Sequence, residues 1–257
     1  MCSSRRKLGL IVVAGFIASI SFTLTLHSQD KPNMDPKMNM NNMDGVEQEV
    51  AHPFFSHMGM PEAVGVYSIR LGALATRTEN NTDGDFSFHF ETGLTKYIGV
   101  HLRNDGILNQ QHTELMFQFA AVSSEDRMSG FAPIIEFEFP THSGGDQHIN
   151  TLVGFSTALA NSNAAFNQVL HFDPRTDMVE VSGAFVFKLG ARLFPVVEIT
   201  GEVMSGERPL INLLGGFKFR VNENLLLGLA IQAPVTTNKD FTWQLVFQPD
   251  MEWGTMK

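Results

Sequence analysis

Phe86-Ser87-Phe88-His89-Phe90-Glu91-Thr92-Gly93-Leu94-Thr95-Lys96-Tyr97-Ile98-Gly99-Val100-His101-Leu102-Arg103 reads as two strands joined by a tight turn. Phe86, Phe88 and Phe90 alternate with Ser87, His89 and Glu91, and Ile98, Val100 and Leu102 alternate with His101 and Arg103. A period of two sends the apolar side chains to one face of a sheet and the ionisable ones to the other. Gly93-Leu94-Thr95-Lys96 supplies the turn. With the hairpin centred on Thr95, His89 faces His101 and Ser87 faces Arg103, with Glu91 one step along. Such a cross-strand histidine pair is suited to binding a metal ion or to titrating near neutral pH.

The same alternation recurs outward from this hairpin, in segments of about nine to twelve residues from Ala63 to Trp253. Tyr67, Ile69, Leu71 and Ala73 oppose Ser68 and Arg70. Leu115, Phe117 and Phe119 oppose Glu114 and Gln118, and Ile135, Phe137 and Phe139 oppose Glu136 and Glu138. Further along, Phe185 and Phe187 face away from Lys188, Val197 and Ile199 from Glu198, and Phe217 and Phe219 from Lys218. The last segment sets Phe241, Trp243, Leu245 and Phe247 against Thr242, Gln244 and Gln248. Turn-forming clusters separate the segments. The spacing predicts an all-β, antiparallel up-and-down transmembrane barrel of about twelve strands over residues 63–253, followed by a short tail, 254–257. The longer polar loops, 78–85, 123–130, 141–149 and 203–208, are expected together at one end and the short turns at the other.

Alternation alone does not say which face points inward. Three features assign the apolar face to lipid. The chain begins with an export segment. The opposite face carries charges of both signs, as a polar lumen does. The last strand is an alternating aromatic series. The expected lumen set is Arg70, His89, Glu91, His101, Arg103, Glu136, Glu138, Lys188, Glu198 and Lys218, with the acids pairing to the bases. The stretch Phe88–Val100, with its Gly93-Leu94-Thr95 turn, and the final strand resemble the outer-membrane transporter-like barrels grouped with phenol meta-pathway gene clusters. That resemblance implies a barrel of roughly twelve strands that passes or binds small molecules. It carries over no site residues.

Arg5-Arg6-Lys7 precedes an apolar run from Leu8 to about Leu26, the layout of a signal segment over 1–28, with an uncleaved anchor as the alternative. The only cysteine is Cys2, so the exported protein offers no disulfide frame, zinc knuckle or thiol nucleophile. The net charge of −9 becomes about −12 once Arg5, Arg6 and Lys7 are removed, which excludes a basic nucleic-acid-binding surface. No nucleophile elbow or phosphate loop occurs, and an enzyme is not expected.

Residues 29–62 form a linker rich in methionine and histidine, read as disordered from Gln29 to Asn42 and expected in the periplasm. Gly45–Met60 reads as more ordered: a short helix stopped before Pro53, then a turn, lying as a plug in the barrel mouth. Met34, Met38, Met40, Met43, His52, His57, Met58 and Met60 make a candidate site for Cu(I) or Ag(I), because thioethers are soft ligands that need no deprotonation. The whole reads as a Gram-negative outer-membrane barrel, partnered by lipid, for passage or binding of a small solute or metal ion. The alternatives are an exported soluble barrel holding an apolar ligand and a purely structural membrane barrel.

Overall fold

The computed structural model describes residues 50–108, 112–124, 129–141, 148–237 and 241–254. The signal segment read over 1–28, the part of the expected linker up to residue 49, and residues 255–257 lie outside them. The described residues contain no helix.

The strands are β1 (Val66–Arg77), β2 (Thr82–Thr95), β3 (Ile98–Asn104), β4 (His112–Phe119), β5 (Val122–Ser123), β6 (Gly130–Pro140) and β7 (Asn150–Asn161). They continue as β8 (Ala164–Asp173), β9 (Met178–Phe187), β10 (Leu193–Met204), β11 (Leu210–Asn222), β12 (Leu225–Pro234) and β13 (Trp243–Gly254). Each stave pairs antiparallel with its neighbour. β1 pairs with β13 from Val66 opposite Gly254 to Arg77 opposite Trp243, and β4 pairs with β6. The sheet is therefore a closed ring of twelve staves, with β5 a short strip beside β6. Closure leaves no unpaired sheet edge, the condition for spanning hydrocarbon with strands. At the β1–β13 seam the backbones approach closely. Gly254 has φ +121°, and a Cβ there would lie 1.9 Å from the Gly65 carbonyl oxygen.

The apolar face points out. Phe86 and Ile231 are each 54% exposed, while Arg70 and Lys218 are 0% exposed inside the ring. A soluble barrel would show the opposite distribution. The two tryptophans, Trp243 and Trp253, stand near opposite ends of β13. Ten residues of strand span about 33 Å, which a tilt of about 40° reduces to about 25 Å, the height of a barrel's apolar band. Tyr67 stacks on Trp253 with ring centroids 6.1 Å apart, adding to an aromatic girdle at that rim.

Local features depart from the sequence reading. β2 runs on to Thr95, and the turn is Lys96-Tyr97, capped by Thr95 Oγ1, which accepts from the Tyr97 and Ile98 N–H groups at 3.1 Å. With the turn at Lys96-Tyr97 and a one-residue bulge between Gly93 and Thr95, each partner lies two residues from the one expected: Glu91 pairs with His101 and His89 with Arg103. A two-residue shift keeps every side chain on its face and changes only its partner. The connection 120–129 joins β4 to β6 at the end that carries the short turns 96–97, 162–163 and 223–224, not with loop 141–149 as expected. Length misled there, because successive antiparallel staves send their connections to alternate ends whatever the lengths. β13 begins at Trp243, so Phe241 lies in the preceding connection and lines the interior.

Candidate functional site in the lumen

Residues 50–62 run inside the ring before β1 begins. They are bends and turns without helix, so the described part of the helix expected before Pro53 does not form. Proline at 53 and glycine at 59 interrupt any helical run, and the wall takes over the backbone hydrogen bonds that a helix would have made. The Glu198 carboxylate on β10 accepts from the Phe54 N–H, from the Phe55 and Ser56 N–H groups at 3.0 Å, and from Ser56 Oγ at 3.2 Å. Arg70 Nη1 on β1 and Lys218 Nζ on β11 both donate to the Pro53 carbonyl at 3.0 Å. Gln248 Nε2 donates to the Phe54 carbonyl at 3.0 Å and Gln118 Nε2 to the Met58 carbonyl at 2.9 Å, while Gly59 N–H donates to Asn167 Oδ1 at 2.9 Å. Six staves thus read the backbone of one segment.

Glycines make the room. A Cβ at Gly59 would lie 2.1 Å from the Thr157 carbonyl oxygen, and one at Gly228 would lie 2.7 Å from the Phe54 ring. The apolar side chains of the segment pack on one flank of the wall: Phe54 and Phe55 cluster with Val186, Phe194, Leu214 and Val246.

Ionic groups surround the rest of the segment. Arg70 is paired with Glu91, and Lys218 Nζ lies 3.1 Å from Asp250. His52 Nε2 lies 2.9 Å from Glu62 Oε1, and its Nδ1 lies 3.1 Å from Ser68 Oγ and 3.5 Å from Asp250. Burial lowers the His52 pKa, but Asp250 and Glu62 outweigh it and hold the group well above its ordinary value. His57 goes the other way: burial, reinforced by Arg103, His101 and His171, holds it well below. Arg103 is held by Asp105 and lies 3.4 Å from Glu114, and its Nη1 donates to His57 Nε2 at 2.9 Å. Asp105 also takes His89.

Nine of the ten residues read as lumen-facing are buried or half-buried on the inner wall, and Lys188 is half-buried in the β9–β10 connection at the rim. Their partners differ from the pairing expected. Glu198 binds backbone amides rather than a lysine, and Glu138 accepts from Asn150 Nδ2 at 2.9 Å. Sequence reading put Gln118 on the polar face without counting it in the lumen set, and missed Asp250 and His171; all three are buried. It also missed the glycines that face the segment.

Of the soft-metal set, Met34, Met38, Met40 and Met43 lie outside the described residues. Met60 packs with Ala132 and Ala158, and His52 and His57 fall in different His/carboxylate groups that share Glu91. The metal-capable groups here are imidazole and carboxylate: His57 with Glu91 and His101, His52 with Glu62 and Glu91, His57 with Glu114 and Glu136, and the half-exposed His112 with Glu114 and Glu138.

Beyond the segment, toward the end bearing loops 205–209 and 235–242, a cavity of about 310 Å³ opens. Phe55 and His57 form part of its floor, and Arg103, His171, Glu180 and Gln244 part of its wall.

No family model matches the chain, and no curated protein does. Among solved structures the barrel is similar to the NanC porin, at 7% identity and TM-score 0.50, covering 74% of this chain and 99% of that one. It is also similar to an outer membrane channel from Pseudomonas putida F1, at 6% identity and TM-score 0.52, covering 81% of this chain and 99% of that one. The shared feature is the fold of an outer-membrane barrel.

Proposed function

We propose that this chain is an outer-membrane channel for small polar solutes, narrowed by its own residues 50–62. One observation carries the reading: a barrel with an apolar outer face encloses an ionic lumen, and a cavity with both signs of charge on its wall stands above the lumen segment. The cavity has the size of a small-molecule site. The solved channels of the same fold and the resemblance of the Phe88–Val100 hairpin to the phenol meta-pathway barrels both support small molecules as cargo. The reading is of a conduit rather than an enzyme.

Planar-bilayer recording of the full chain tests it. We expect small conductance steps, and at least a several-fold larger step when residues 50–62 are replaced by a Gly/Ser stretch of equal length. Heat-modifiable migration in gels confirms that the ring still closes. A folded variant that conducts no better than a lipid blank makes the barrel structural. Copper or silver handling enters this reading only through Met34 to Met43. Cu(I) titration of a peptide spanning residues 29–62 tests that part, and affinity equal to a Met-to-Leu control removes it.

A further inference from the structure

We propose that His57, Glu91 and His101 form a site for a zinc-class divalent cation that staples the lumen segment to the barrel wall. The inference rests on the geometry of the lumen and not on conduction. Glu91 on β2 and His101 on β3 are direct cross-strand partners, and His57 reaches them from the segment. One ligand atom from each lies within 4.8 Å of the other two.

The decisive detail is where the proton on His101 sits. Gln118 donates from Nε2 twice, to the Met58 carbonyl at 2.9 Å and to Ser156 Oγ at 2.6 Å. Its amide nitrogen is thereby identified, and its Oε1 is an acceptor. His101 Nε2, 3.1 Å from that oxygen, must be the donor. In the neutral ring this leaves Nδ1 as a bare lone pair. Nδ1 is buried, makes no hydrogen bond among the described residues, and lies 3.2 Å from Glu91 Oε1. That oxygen already takes Arg70 Nη2, but the His101 lone pair facing it in a dry interior has neither donor nor cation, and a positive charge in the gap would satisfy it. The separation of Nδ1 from Oε1 is close to the roughly 3.3 Å between neighbouring ligands bonded at about 2.0–2.1 Å to a tetrahedral metal.

The surroundings are those of a prepared metal ligand set. Gln118 fixes the His101 tautomer, and Arg70 fixes Glu91. Glu136 stands on the other side of His57, its Oε2 3.8 Å from His57 Nε2 and without a hydrogen bond, as a further carboxylate. Two imidazoles and a carboxylate favour zinc-class ions over the soft monovalent ions that thioethers select. Coordination by His57 would break the hydrogen bond from Arg103. Arg103 keeps Asp105 and Glu114, so it loses one contact of several. The competing occupant of the gap is a proton, which would make His101 an imidazolium donating to Glu91.

Untagged full-length protein in detergent, stripped with a chelator, is titrated with Zn²⁺ by calorimetry and with Co²⁺ by visible absorption. We expect one equivalent bound, with the d–d bands of a four-coordinate ion. His101→Gln and Glu91→Gln weaken binding by roughly ten-fold or more. His112→Gln, in a different cluster, does not. Heat-modifiable migration shows which variants remain folded, and His101→Gln, which leaves the Arg70–Glu91 pair intact, decides if Glu91→Gln does not fold. Absence of stoichiometric binding to the unmodified protein, or equal binding by the folded His101→Gln variant, overturns the site and assigns the gap to a proton. Neither result bears on conductance, which tests the channel reading separately.

Discussion

The two flanks of the lumen wall hold the same short segment by different physics. On the flank from β9 to β13, Phe54 and Phe55 sink among Val186, Phe194, Leu214 and Val246, and Gly228 leaves room for the ring. On the flank from β1 to β6, His57 meets His101 edge to face at 5.5 Å, close to Glu136 and Arg103. Dispersion and burial tolerate some sliding, whereas hydrogen-bonded ions fix a register. The segment is therefore seated by its phenylalanines and aligned by its polar backbone contacts. Both flanks alternate with the same period of two, so the outer face cannot tell them apart.

Removing the alignment should do more harm than loosening the seat. Glu198→Ala leaves the amides of Phe54, Phe55 and Ser56 without their acceptor in a buried place. We expect the docked segment to lose on the order of 4 kcal/mol, because each orphaned buried donor costs about 1–3 kcal/mol and the terms are not additive. The readout is the rate of proteolytic cutting within residues 50–62 of the folded barrel. A cutting rate unchanged from the parent would mean that the segment is held by packing alone. Phe54→Ala should cost about 3 kcal/mol, in the range for truncating a buried aromatic. Its effect should be smaller by the same assay, with His57 still protected from solvent exchange. If Phe54→Ala releases the segment more fully than Glu198→Ala, packing of the phenylalanines and not hydrogen bonding to the backbone aligns the segment.

The outside of this molecule was legible in its sequence and much of the inside was not, for a physical reason. Lipid asks only that a side chain be apolar, so Phe86, Phe185, Phe217 and Ile231 announce their face by type alone. The lumen asks for particular partners. That Glu198 would point inward follows from Val197 and Ile199 pointing out. That it would grip three amides of a segment more than a hundred residues away follows from nothing local. The His89–His101 pairing failed for a related reason: the turn lies at Lys96-Tyr97 and a one-residue bulge lies beside it near Leu94, which together move the partner by two residues while leaving the alternation intact. Gly59 and Gly228 were visible as glycines, but a clearance is defined by what fills it. Met60 was grouped with soft ligands because of its sulfur, and the fold uses its flexible shape beside Gly130 and Ala132 instead.

The smallest effect concerns pH and belongs to the point where the two flanks meet. His52 faces Glu62 of its own segment, Asp250 and Glu252 of β13 and Ser68 of β1, with Lys218 on the far side of Asp250. Burial lowers its pKa, but Asp250 and Glu62 outweigh it and hold the group in the docked segment well above the ordinary 6.5. The docked state then binds the proton more tightly than the released state. The stabilisation is complete below the ordinary value and is lost as pH rises through the docked value, with a slope of at most about 1.4 kcal/mol per pH unit for one proton. Cutting within residues 50–62 should therefore accelerate, and conductance steps should grow, as pH is raised from about 6 into the alkaline range. His52→Gln should hold the segment more weakly at low pH and show a flat profile across that range. An unmodified protein whose profile matches that of His52→Gln would show that the carboxylates around His52 hold the segment without its charge, leaving Arg70 and Lys218, one from each flank, as the cationic anchors on the Pro53 carbonyl.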